Sequence, residues 1–168
     1  MSPRSLLLAA CLPAVLAVGA APPALAAGNG HFIGSATGAS LNGSSLVTTF
    51  KEAGLAAGSA ESVLTRATAV TTYECVNGGN KNPSASNKTT TASDVSRDGT
   101  FTADKSGNIR GTETLTPPTA SALGFSCPRG QTTTFVGVSY SNVSIADTTS
   151  HATYSIPGTF SYTNPTAP

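Results

Sequence analysis

Two histidines, His31 and His151, three cysteines, Cys11, Cys75 and Cys127, and eight carboxylates are the main groups in this 168-residue chain whose types could do chemistry. Asp147 lies four residues before His151 and serines are abundant, so a Ser-His-Asp set is arithmetically available. No Gly-x-Ser-x-Gly elbow accompanies it, and His151 falls on the polar parity of a strand start, where it reads as an exposed histidine. Glu74 and Glu113 are the candidate carboxylates for glycoside hydrolysis. Glu113 occupies the apolar parity of its strand, and a carboxylate facing a core must be paired or protonated, which raises its pKa and suits a general acid. A one-residue register slip would return it to solvent, which is the structural reading of the same residue.

Metal chemistry has narrower openings. His31 would join a copper site only if processing made it the first residue, its amino group and ring acting with His151. Cleavage after Gly28 would instead leave Asn29-Gly30-His31 as a copper-binding tripeptide. Asp94, Asp98, Asp104 and Asn108 could line a calcium loop, but their spacing matches no EF-hand or repeat motif, and Asp104 and Asn108 read more simply as turn formers. No metal or other cofactor is expected. Asn42, Asn87 and Asn142 head glycan acceptor sequons that matter only in a host that glycosylates exported proteins.

The elements that must hold these groups are strands. Beyond the N-terminal segment the chain is saturated with Thr and Ser and poor in Leu, Met, Lys and Glu, a composition that disfavours helix. In residues 63–75 the odd positions Val63, Ala67, Ala69, Tyr73 and Cys75 form the more apolar face, and Arg66, Thr68, Thr72 and Glu74 the other. Ala152, Tyr154, Ile156, Phe160 and Tyr162 share one parity, with Pro157 on the polar one, so this strand is expected at a sheet edge or broken near Pro157-Gly158. Residues 131–147 switch phase between Tyr140 and Val143, which predicts a bulge or turn at Ser141-Asn142. Residues 87–116 read as a long hairpin around a turn at 104–108. Residues 31–36 and 44–51 are further strand candidates, and 54–59 a Gly/Ala loop. Seven or eight short amphipathic strands predict an all-β antiparallel sandwich, immunoglobulin-like or jelly-roll, with a frayed tail over 163–168.

Residues 1–26 read as a secretory signal peptide. Arg4 is the sole charge, an apolar or small-residue run extends from Leu6 to Leu25, and Ala24-Leu25-Ala26 places small residues where signal peptidase reads them. Leu8-Ala9-Ala10-Cys11 also matches a lipobox, which would anchor the chain through an acylated Cys11. The short apolar core before Cys11 and the apolar run after it favour the first reading. Removing 26 of 168 residues leaves 142 in one domain, 27–168, without a transmembrane segment. It also removes one of the nine basic residues, which balances eight cations against eight anions. Neutral charge without any Lys/Arg run excludes nucleic acid or an anionic membrane surface as the main partner. The two remaining cysteines, Cys75 and Cys127, read as a disulfide in an exported chain, stabilising by roughly 3 to 4 kcal/mol.

The cysteine neighbourhoods carry a resemblance. Thr72-Tyr73-Glu74-Cys75-Val76-Asn77-Gly78-Gly79-Asn80, Gly124-Phe125-Ser126-Cys127-Pro128-Arg129-Gly130-Gln131, residues 138–143 and Ile156-Pro157-Gly158-Thr159-Phe160 resemble small secreted proteins of actinobacteria that have no assigned activity. The resemblance spans about residues 63–160. It implies export and paired cysteines, and it contributes no catalytic residue. The expectation is therefore a secreted, non-catalytic surface or binding module for an extracellular or cell-wall ligand. The alternatives are a polysaccharide-active enzyme, working through Glu113 or through copper at His31, and a coat component that self-associates along a Thr-rich edge strand.

Overall fold

The computed structural model describes residues 28–77 and 87–167, so the expected export signal, Cys11 and most of the loop 77–88 lie outside the described residues. Nine antiparallel strands follow one another: β1 His31–Phe32, β2 Gly38–Asn42, β3 Ser45–Ala53, β4 Ala60–Asn77, β5 Lys88–Thr102, β6 Ile109–Leu115, β7 Gln131–Asp147, β8 Thr153–Ile156 and β9 Phe160–Thr163. They form two sheets. In the first, β3 is flanked by β6 on one side and by both β1 and β2 on the other. In the second the order is β5-β4-β7, and β8 and β9 share the far edge of β7.

Nine strands thus occupy seven ladder positions, because one edge strand of each sheet is interrupted. Pro157 has no N–H to give and Gly158 adopts φ +111°, so the C-terminal edge strand breaks where the sequence places its proline. The N-terminal edge strand is shorter than the expected 31–36. It breaks into a 3-10 turn at Gly34–Ala36, and a strand absent from the sequence reading, β2, resumes pairing with β3. A two-residue turn joins β2 to β3, with Gly43 at φ +58°. Taken as seven positions, the first, second and fifth make one sheet and the fourth, third, sixth and seventh the other. This is the strand order of an immunoglobulin domain with its fourth strand moved to the opposite sheet.

Alternation sets the inner faces. Leu46, Thr48, Phe50 and Glu52 of β3 and Ile109, Gly111, Glu113 and Leu115 of β6 face Val63, Thr65, Ala67 and Ala69 of β4 and Tyr140, Val143 and Ile145 of β7. Gly111 is bare for a steric reason: a Cβ there would lie 2.3 Å from Phe50 Cζ and 2.5 Å from Phe101 Cε1, in the space of the edge-to-face Phe50–Phe101 pair. The Tyr140 hydroxyl donates to the Ser44 and Leu115 carbonyls at 2.8 and 3.4 Å, tying β7 to the opposite sheet.

Residues 87–116 are not a hairpin: β5 pairs with β4 over fifteen residues and β6 pairs with β3, so the turn at 104–108 arches from one sheet to the other. Its chemistry is as expected, with Asp104 Oδ1 accepting the N–H groups of Ser106 and Asn108 at 2.8 and 3.0 Å. The tail is held further than expected. Thr163 ends β9, and Asn164 donates through its backbone N and Nδ2 to the Val136 and Phe135 carbonyls, both at 2.8 Å. Those carbonyls flank the second irregularity of β7, where Val136 has no partner opposite on β4.

Candidate functional site

Glu113 faces inward, as its parity predicts, and is 5 % exposed. Thr48 stands opposite it on β3, and Thr65 reaches across from β4 to donate to Glu113 Oε2. Its Oε1 has no hydrogen-bond partner and lies over Gly99, where a Cβ would come within 3.0 Å. Burial pushes the Glu113 pKa up, opposed by the Thr65 hydroxyl and the Arg97 guanidinium and reinforced by Asp98. The carboxyl lies at the side of a groove of about 460 Å³ between the edge strands β5 and β6, which Arg97, Asp98 and Phe101 also line. The arrangement sets a carboxyl whose pKa burial raises at the side of a cleft that Asp98 also lines.

A second groove, of about 410 Å³, lies on the outer face of the second sheet, between β4, β5 and β7. Its cause is the predicted bulge. The pairing of β4 with β7 shifts between Arg66 and Thr68, and Asn142 takes up the extra residue at φ +53°. The lining is mainly polar, with Arg66, Thr68, Asp94, Ser96, Asn142 and Ser144 around Ala67 and Val95. Thr68 Oγ1 donates to Asp94 Oδ1 at 3.2 Å, and Asn142 Nδ2 donates to Thr68 Oγ1 at 3.5 Å. Guanidinium, amide, hydroxyl and carboxylate side by side supply donors and acceptors together, the pattern that a neutral, hydroxyl-rich ligand matches.

The other sequence candidates are dispersed. His31 is exposed on β1 with Nδ1 3.0 Å from the Asn29 carbonyl, and His151 is exposed in the β7–β8 turn at φ +63°. Asp147 accepts the N–H groups of Thr149 and Ser150 at 2.7 and 3.1 Å, so its bonded partners are turn amides and not His151. Among the described residues no three His, Cys, Asp or Glu side chains are placed to hold a metal ion. Cys75 and Cys127 form the expected disulfide within the chain, Cα atoms 5.5 Å apart. Glu74 is buried beside it and pairs with Lys88 at 3.0 Å.

Sequence reading missed a second set of buried carboxylates. Glu52, Glu61 and Asp147 are 0, 3 and 1 % exposed, at the end of the sandwich where β3, β4 and β7 meet the chain's first described residues. The signal was available: each stands one inward step beyond an apolar run, after Phe50, before Val63 and after Ile145.

No protein-family model, curated protein or solved structure matches the chain.

Proposed function

We propose that this chain is an exported, disulfide-braced β-sandwich that binds a hydroxyl-rich extracellular or cell-wall ligand without turning it over. The observation that carries this reading is the polar groove at the Asn142 bulge, open on a sheet face. Export is supported by the sequence of residues 1–26 and by the disulfide that such a compartment sustains. The test is retention of the protein on cell wall, chitin and cellulose. Saturable binding without released sugar, lost in Arg66→Ala and Asp94→Ala variants that melt like the parent, is the expected result. Identifying the first residue of the secreted protein checks the compartment. A start at Ala27 agrees with secretion, and an acylated Cys11 would make it an envelope lipoprotein.

Glycoside hydrolysis is the second reading, favoured by the buried Glu113 carboxyl at a groove shared with Asp98. Soluble sugar that disappears in Glu113→Gln would establish it in place of pure binding.

A further inference from the structure

We propose that Glu52, Glu61 and Asp147 form a buried proton-binding site that keeps the N-terminal end of the sandwich closed at acidic to neutral pH and loosens it under alkaline conditions. The three carboxyls come from three strands and both sheets. Each engages one oxygen only: Glu52 Oε1 accepts from Ser150 Oγ at 2.6 Å, Glu61 Oε1 from Ser59 Oγ, and Asp147 Oδ1 from two turn amides. The other oxygens, Glu52 Oε2, Glu61 Oε2 and Asp147 Oδ2, are buried without a donor.

No cation among the described residues relieves them. Lys88–Glu74 is the sole ion pair among the described residues. Lys51 and Arg110 stand on the outward parity of β3 and β6, Lys105 and Asp104 are exposed in the arch, and His31 of β1 and His151 of the β7–β8 turn are exposed. The groups that face Glu52 are therefore acidic, Asp147 and Glu61. Three neighbouring anions in a buried site would repel with no compensating protein donor, whereas one proton removes a charge and gives an orphaned oxygen its donor. Glu52 holds that proton. Burial first, then the charge of Asp147 and a hydrogen bond to it, and the charge of Glu61 push its pKa up to about 7, against the Ser150 hydroxyl alone.

Closure follows from what lies above. Gly30 packs on the site so tightly that a Cβ would sit 2.6 Å from both Glu52 Oε1 and Ser150 Cβ, and β1 pairs across it with Phe32 opposite Glu52. Loss of the proton places a second anion beneath this segment. Because the folded-state pKa of Glu52 lies above its ordinary 4.5, the stabilisation is complete below about 4.5 and disappears as pH rises through about 7.

The experiment is thermal unfolding of the full chain between about pH 5 and about pH 9, beside Glu52→Gln, which keeps a donor for Asp147 but cannot titrate. The parent Tm should fall by roughly 5–10 °C over this range, and the variant should lose most of that slope. Infrared spectra should lose a protonated-carboxyl band between about pH 6 and about pH 8 in the parent and equally in Glu113→Gln, whose other raised carboxyl is gone, and this reading stands even where the Glu52 variant does not fold. Equal slopes in parent and variant, or no such band in the parent, would overturn the proposal. So would calcium that restores the alkaline Tm of the parent and not of the variant, because the site would then be a metal site.

Discussion

Glu113 is held between the sheets by a single donor, and the consequences of changing it can be ordered. Glu113→Ala deletes the acceptor of Thr65 and opens a cavity beside Thr48, each of which is costly in a packed interior. Glu113→Gln keeps the shape and a carbonyl oxygen for Thr65. Denaturant unfolding should therefore show a loss of about 2–3 kcal/mol for Ala and under about 1 kcal/mol for Gln, with an unchanged m-value. The Gln variant should also lose part of the decline in stability as pH rises, since burial raises the Glu113 pKa and its contribution is lost as pH climbs through that raised value. Glu113 was legible because it interrupts an apolar parity. Glu52, Glu61 and Asp147 end such parities, and a polar residue at the end of a run looks like the place where a strand leaves the core.

At the scale of elements, alternation disclosed which face of each strand is buried but not which neighbour it pairs with. The inward parity of Glu113 on β6 was read correctly, yet two inward faces can meet either as a hairpin or across the sandwich, and the same parity serves both. The choice is made by partners distant in sequence, β4 for β5 and β3 for β6. Local chemistry was more legible: Pro157 breaks an edge strand, and the phase switch after Tyr140 is a bulge. The missed strand β2 also carried a signal, since Gly43-Ser44 between two strand-forming segments is a hairpin turn pair. The bulge yields a prediction. Asn tolerates the left-handed backbone that position 142 adopts, and a β-branched residue does not. Asn142→Val should cost about 1–2 kcal/mol and weaken retention on the ligand matrix, whereas Asn142→Gly should leave Tm nearly unchanged. Parallel melts and retention assays of the two variants check this.

Across the whole molecule, the two sheets are unequal. The strands of the first run from 2 to 9 residues, whereas β4, β5 and β7 run to 18, 15 and 17, so the second sheet projects past the first and its inner face needs another cover. The connection 116–130 provides it. The Tyr73 hydroxyl donates to the Pro118 carbonyl at 2.9 Å, the Tyr73 and Phe125 rings stack at 6.5 Å, and Cys127 is bonded to Cys75. Without strand pairing of its own, this connection is held by those few contacts, and a bridge spanning 52 residues removes much of the chain's freedom when unfolded. Cys75→Ala with Cys127→Ala should therefore lower stability by about 3–4 kcal/mol. The loss should be uneven in space. Hydrogen exchange should accelerate over 116–130 and the distal halves of β4 and β7, while amides around Leu46, Val63 and Tyr140 slow and quicken only with global unfolding. Uniform acceleration throughout both sheets would show instead that the bridge acts on the unfolded chain alone and that the covered end is stable without it.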